Sequence, residues 1–458
     1  MYAVPKLLKT DLKRRNNMII TTAIAVLALA MLFSMPLHAQ EAWTLERCID
    51  YALENNIQVR QGSIQTGQRE IEYANARNSR LPGVSAGASE NMSFGRGLTA
   101  NNTYDNTNTT STSFNIGADM TLFAGGRLSG NVKMAELSLE TAKNDLERIK
   151  DDVRVSVAQA FIQIVYDRSI LEVAKNQAGI DSMQVERLLA LEETGRASSA
   201  EVSSQKATLA QSRLSVTQAE NNLQLAILTL TQLLELPTPE GFDVVAPSTE
   251  DLDFSPLESP ESIYEQAIGI KPSIRSEQLK LQQAEKNIDI AKGSLYPTLS
   301  LSGGAGTNYY TTSKFSSDPF GTQLKNNFSQ YIGLNLSIPV YSRGQNRNSI
   351  RSARLSYDNQ QMQLDAAKKA LYKEIQQAYF NAVASENRYE SSQAVETSAM
   401  ESFELVRAKY EGGKASITEF NESKNRLVTA QADVLKYRYE YLFNTALLNF
   451  YRNSSFEF

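Results

Sequence analysis

Histidine and cysteine carry most acid–base, nucleophilic and metal chemistry, and this sequence has one of each. His38 lies in an apolar leader segment and Cys48 in the run Leu45-Glu-Arg-Cys-Ile49. That leaves no Ser-His or Cys-His pair and no usual zinc set, so neither catalysis nor a metal or other cofactor is expected. Cys48 reads as a small buried apolar residue. Carboxylates are abundant, 51 in all, and a pair such as Glu419 and Glu422 shares one helical face by its spacing of three. On composition alone such a pair is two solvated surface acids. Asn102 and Asn108 fall in Asn-X-Thr triplets of an Asn/Thr-rich stretch and read as solvated loop tips.

The informative feature is the framework that holds these residues. From Gly126 to Thr194 there is no proline and only two internal glycines, Gly130 and Gly179. Val132, Ala135, Leu139, Ala142, Leu146, Ile149, Val153, Val157, Ala160 and Ile164 recur at steps of three and four, as one narrow buried stripe of a helix does. Such a helix is roughly 100 Å long and must pack lengthwise against others.

The pattern returns without a gap 218 residues later, pairing Gly195 with Gly413, Ala160-Phe161 with Ala378-Tyr379 and Val132 with Ile350. The returning segments carry heptads at Leu209, Val216, Leu223 and Leu230, and at Leu427, Val434, Tyr441 and Leu448. Ahead of the long helices the offset is 215: Ala52 with Ala267, Arg60 with Arg275, Pro82 with Pro297. An ungapped offset of this kind marks an internal duplication.

Residues 1–39 read as an export signal. Lys6, Lys9, Lys13, Arg14 and Arg15 precede an apolar run from Ile19 to Phe33, and Leu37-His38-Ala39 offers a cleavage site. Its loss removes five basic residues and Asp11, moving the net charge from −5 to −9 and disfavouring nucleic acid as a partner. The first repeat spans 40–240, with a helix from Trp43 to Arg80, a β-hairpin at 83–123 and a long α-hairpin at 126–235. A Pro-rich connector follows at 241–262, with a short strand expected at Phe242–Val245. The second repeat spans 263–458. Its helix runs from Ile263 to Lys292, with Pro272 placed to begin a second one, followed by a hairpin at 298–341 and an α-hairpin at 344–452.

In the hairpins the period drops to two. Phe114, Ile116, Ala118, Met120 and Leu122 alternate with polar or small residues, as do Ile332, Leu334, Leu336, Ile338 and Val340. Weaker strands begin at Val84 and Leu299, and the tips, Gly95–Thr112 and Tyr309–Asn327, are polar. Such ribbons match either soluble hairpins or outer-membrane strands. The export signal and the second copy favour the membrane. Four strands cannot close a barrel and an open edge is forbidden in lipid, so several chains must share one.

The order of these parts resembles the TolC family of outer-membrane efflux proteins. The likeness is carried by Leu45-Glu-Arg-Cys-Ile-Asp-Tyr-Ala-Leu-Glu-Asn-Asn56, by the junctions Leu122-Phe-Ala-Gly-Gly-Arg127 and Val340-Tyr-Ser-Arg-Gly-Gln345, and by the tips Glu193-Thr-Gly-Arg-Ala-Ser198 and Tyr410-Glu-Gly-Gly-Lys-Ala-Ser416. The resemblance implies a mainly α chain with duplicated long α-hairpins and four strands. Three chains would form a homotrimer with a twelve-stranded barrel in outer-membrane lipid and an α-barrel tunnel in the periplasm. It implies a periplasmic adaptor and an inner-membrane pump of the RND or ABC type as partners, and export of small toxic compounds. An exit duct for type I protein secretion is the nearest alternative, and a periplasmic coiled-coil tether the alternative of a different class. By the same resemblance Gly195, Arg196, Ser198, Gly412, Gly413, Lys414 and Ser416 meet the adaptor. Glu419, Glu422, Glu201 (the first-copy equivalent of Glu419, with Ser204 in place of the other acid) and Tyr410 are the candidates for the closed periplasmic mouth.

Overall fold

The computed structural model describes residues 43–98, 102–247, 254, 256–314 and 316–456; the export signal expected at 1–39 lies outside them. Two helices, α1 (Leu45–Asn55) and α2 (Ile57–Asn78), lead into β1 (Gly83–Ser93), a small ribbon of β2 (Arg96–Leu98) and β3 (Tyr104–Asn106), and β4 (Thr109–Ala124). Helices α3 (Arg127–Glu193) and α4 (Ser199–Leu233) complete the first copy. The second has α5 (Pro260–Ile270), α6 (Pro272–Gly293), β5 (Thr298–Thr312), α7 (Phe320–Asn326), β6 (Ser329–Ser337), α8 (Gln345–Glu411) and α9 (Ile417–Asn453).

The duplication holds to the residue: α1 and α2 map onto α5 and α6 at 215, and α3 onto α8 at 218. Both long helices have 67 residues, about 100 Å at the usual rise. Each starts after a left-handed residue pair. Gly125 and Gly126 have φ of +62° and +81°, and a Cβ on Gly125 would lie 2.4 Å from the Gly293 carbonyl oxygen. Only glycine fits there. The second copy makes the same turn with Arg343 and Gly344 at φ +49° and +80°.

The single helix expected from Trp43 to Arg80 is two helices, broken at Asn56 (φ −58°, ψ 131°). The break serves packing. Asn56 Oδ1 accepts from the Gln58 amide at 2.9 Å, and Asn56 Nδ2 donates to the carbonyl of Leu233, at the end of α4, at 2.9 Å. Its counterpart Lys271, with Pro272 behind it, repeats the device: Nζ donates to the Phe450 carbonyl near the end of α9 at 3.0 Å and lies 3.8 Å from the Phe450 ring centre. Burial lowers the Lys271 pKa, opposed by Asp151 at 3.6 Å. The connector differs from expectation in two ways. Phe242–Val245 makes only an isolated bridge at Val244, and α5 begins at Pro260, capped by Ser259.

The helices form a wall one layer thick. Near the sheet α2, α3, α6 and α8 lie side by side; beyond the helix breaks α4, α3, α9 and α8 do. A single layer encloses little core, so the buried apolar residues gather in local clusters. One joins Ile263, Ala267 and Ile274 to Leu364, Leu371, Ile375, Ala378 and Ala382. The stripe from Val132 to Ile149 is only half-buried within one chain.

The two hairpins share one antiparallel sheet in the order β1-β4-β5-β6. The register aligns Val84, Ala86 and Ala88 with Ala118, Ile116 and Phe114, those with Gly303, Ala305 and Thr307, and Leu301 and Leu299 with Leu334 and Leu336. One face is therefore apolar and the other is mainly Ser, Gly, Asn and Thr, with Asp119, Tyr310 and Tyr331. The apolar face is uncovered: Ile332 is 81% exposed and Leu334 68%. Strand β6 stops at Ser337, short of Ile338 and Val340, while β4 and β5 extend into the segments expected to be polar tips. Replacing Asn56 by Ala removes the cap and the bridge to α4 together. A loss of about 2 kcal/mol in unfolding free energy is expected, read by chemical denaturation, with Asn56→Asp losing less because it keeps the cap.

Candidate functional site at the helix-hairpin tips

Helices α3 and α4 reverse at Gly195 (φ +70°), and α8 and α9 at Gly413 (φ +70°). The chain closes each turn on itself: Arg196 N donates to the Leu191 carbonyl at 2.8 Å, and Lys414 N to that of Lys409 at 2.7 Å. Ser198 and Ser416 then cap the returning helices in reciprocal capping boxes. Glu201 Oε2 accepts from the Ser198 amide at 2.8 Å and Glu419 Oε2 from the Ser416 amide at 3.0 Å. These bonds hold the Glu201 carboxyl below its ordinary pKa. Gly195, Arg196, Ser198, Gly412, Gly413, Lys414 and Ser416 are all exposed. The tips thus present a small, rigid, mixed-charge surface.

Glu201 and Glu419 have a local task in starting α4 and α9. Glu422, one turn further on, is exposed, so the two acids that share a face differ in what already holds them. Tyr410 has the partner that its sequence neighbourhood did not disclose. Gln184 Nε2 on α3 donates to the Tyr410 hydroxyl, the Arg187 guanidinium lies 5.2 Å from its ring centre, and Arg187 Nη2 donates to the Glu411 carbonyl at 3.3 Å. The other side of the ring stacks on Phe420 at 5.0 Å, within a cluster of Phe403, Phe420 and Leu427. Burial raises the Tyr410 pKa, opposed by Arg187 and Gln184. Tyr410 therefore pins the second hairpin to the first in the same chain.

About 20 Å from the tip, by helix rise, lies a buried charge network absent from the sequence-based expectations. Asp181 on α3 is 0% exposed and Lys424 on α9 is 1% exposed, and they form an ion pair. Asp181 also accepts from Gln177 at 2.9 Å, Gln205 at 3.2 Å and Ser212 at 2.5 Å. Lys424 donates to Asn421 at 3.3 Å, and Asn421 donates to Gln205 at 3.2 Å. Three helices are tied at one point. The available signal was Gln177, Asp181 and Gln184 falling on a stripe continued by Val185 and Leu188, where polar residues interrupt apolar spacing. Among the described residues no cluster of His, Cys, Asp and Glu could hold a metal ion.

Removing one partner of a fully buried pair strands the other, at a cost of about 3–5 kcal/mol. Lys424→Met should therefore lower the thermal midpoint sharply. The double variant Asp181→Leu with Lys424→Met should recover most of that loss, a pattern a thermal melt resolves directly.

Comparison with known proteins places these parts together. The chain is 23% identical to the outer membrane protein TolC of Vibrio cholerae over 315 residues, 69% of this chain and 70% of that one. It is 26% identical to protein CyaE of Bordetella pertussis over 413 residues, 88% and 81% of the two chains. Its fold matches the Campylobacter jejuni CmeC outer membrane channel with a TM-score of 0.76 at 19% identity, across 90% of this chain and 86% of that one. The profile of the outer membrane efflux protein family matches residues 48–235 and 263–451, one stretch for each repeat, and the chain belongs to that family.

Proposed function

We propose that three copies of this chain form a passive efflux conduit, with one twelve-stranded barrel in the outer membrane continued by a twelve-helix tunnel in the periplasm. The observation that carries this reading is the sheet. Four strands present an uncovered apolar face and a hydrophilic opposite face, and within one chain the outer sides of β1 and β6 are sheet edges. Lipid satisfies the first, water in a lumen the second, and neighbouring copies the edges. No helix among the described residues is long and apolar enough to cross a membrane, so the strands are the elements available for spanning. The conduit performs no chemistry; energy comes from an inner-membrane RND- or ABC-type pump, joined through a periplasmic adaptor that meets the exposed tips. Small toxic compounds are the proposed cargo, on the strength of the efflux family.

The periplasmic mouth is proposed to close where Glu422 and Glu419 of three copies form rings of carboxylates, with Tyr410 and Gln184 holding the hairpins together. Such rings favour cations, and their mutual repulsion biases the mouth towards opening. Single-channel conductance in planar bilayers tests the reading. Detergent-extracted protein should form ion-conducting pores; absence of any conductance under conditions that preserve the fold contradicts it.

Two variants locate the mouth. Glu419→Gln combined with Glu422→Gln keeps the capping box, because Gln serves at that position, and should weaken cation preference. Unchanged ion selectivity removes these acids from the constriction. Tyr410→Phe removes the Gln184 bond and keeps the ring packing, and should raise the open fraction of single channels with little change in unfolding midpoint.

A further inference from the structure

Helix α7 is the part of the chain that neither the duplication nor the tip geometry requires. It sits in the loop between β5 and β6, at the end of the sheet away from the long helices. Strand β5 is paired with β6 only up to Gly306, where Ser329 begins the partner strand, while β4 accompanies it to Thr312. Beyond Gly306 the β6 side of β5 would therefore be a bare edge. Helix α7 and its C-cap residue Asn327 cover it with side-chain amides. Gln323 Oε1 accepts from the Tyr310 amide at 2.9 Å and its Nε2 donates to the Tyr310 carbonyl at 3.0 Å; Asn327 Nδ2 donates to the Asn308 carbonyl at 2.7 Å. Asn308 and Tyr310 are two apart on the strand, and Gln323 and Asn327 four apart in sequence, so the two repeats match.

The register fixes the side of the sheet on which α7 rests. Its other contacts are with Thr307, whose hydroxyl donates to the Leu324 carbonyl at 2.7 Å, and with Tyr309, whose ring meets Phe320 edge-on at 5.0 Å. Thr307 pairs with Phe114 and Tyr309 with Thr112, so both belong to the face of Phe114, Ile116, Leu301 and Leu334. That is the apolar face. A shallow hollow of about 530 Å³ lies just below, between Phe114 and Phe328 over Ala86, Ala88 and Ala305.

Height agrees with the side. Leu299 to Tyr309 is ten residues, about 33 Å along a strand and about 25 Å in height at the tilt of a membrane barrel, which is the height of the apolar band of such barrels. Phe320, half-exposed, thus stands at the upper rim of that band with Tyr309 and Phe328, where membrane barrels carry a girdle of aromatic residues.

We infer that α7 is a lipid-contacting collar: it lies outside the barrel wall at the boundary of the outer leaflet, seals the β5 edge that the short β6 leaves open, and does not plug the lumen. The occupant of its exposed aromatic side is the interfacial region of outer-leaflet lipid. This rests on the barrel reading above, and the test separates the two.

The experiment places single tryptophans in a Trp43→Phe background, Trp43 being the only native one. Phe320→Trp reports on α7, Phe328→Trp gives a second reading at the same rim, and Ile332→Trp reports on the middle of the apolar face. Each is reconstituted into vesicles of phosphatidylcholine with or without bromine on the acyl chains. Expected is loss of fluorescence to brominated lipid at all three positions, with little quenching of Phe320→Trp by aqueous iodide. If Ile332→Trp is quenched by brominated lipid while Phe320→Trp and Phe328→Trp are quenched only by iodide, α7 faces water and the collar is refuted while the barrel stands. If Ile332→Trp is also insensitive to brominated lipid, the barrel fails and the collar with it.

Discussion

A sheet of four strands that is apolar on one side, polar on the other and open at both edges cannot be at rest as a single chain. In water the apolar side is unburied, and in lipid each unpaired backbone group at an edge costs several kcal/mol. Every other feature of the chain follows from meeting both demands together. The long helices descend from β4 and β6, so whatever closes the strands into a ring also brings the helices into a ring. The one-layer helical wall, with only local clusters of buried residues in one chain, is a second surface left for neighbours to complete.

Within the chain, stiffness comes from polar groups placed where an apolar residue would be expected. Asn56 and Lys271 use helix breaks to reach the carbonyls at the ends of α4 and α9. Asp181 and Lys424 tie α3, α4 and α9 at a point where a thin wall has little apolar surface to bury. Buried pairs of this kind add little net stability and penalise any other pairing heavily, which sets the register of the 67-residue α3 against α4 and α9. At the tips the same economy appears in reverse: Ser198 with Glu201 and Ser416 with Glu419 spend their polar groups on starting a helix, leaving the exposed surface to Arg196, Lys414 and Glu422.

Much of this was legible in the sequence because it is periodic. The duplication, the two long helices, the Gly195 and Gly413 reversals and the alternating strands are repeated patterns with one dominant period each. What was not legible depends on contacts between distant segments. The break at Asn56 lacks the proline that marks its twin at Lys271-Pro272, and only the Leu233 carbonyl explains it. Gln184 as the partner of Tyr410, and Lys424 as that of Asp181, are separated by more than 220 residues. Helix α7 is short, and its reason for forming is a strand edge left because β6 starts opposite Gly306 while β4 starts opposite Thr312. The role proposed for the tip acids at a mouth would belong to an assembly of several chains, which no single sequence states.

Identical copies around one axis in lipid are proposed to close the exposed apolar face and the open edges. Native mass spectrometry of protein extracted from outer membranes in detergent tests it most directly. A complex of three chains that requires detergent to stay in solution is the expected result. A single chain, stable and monodisperse without detergent, would contradict it.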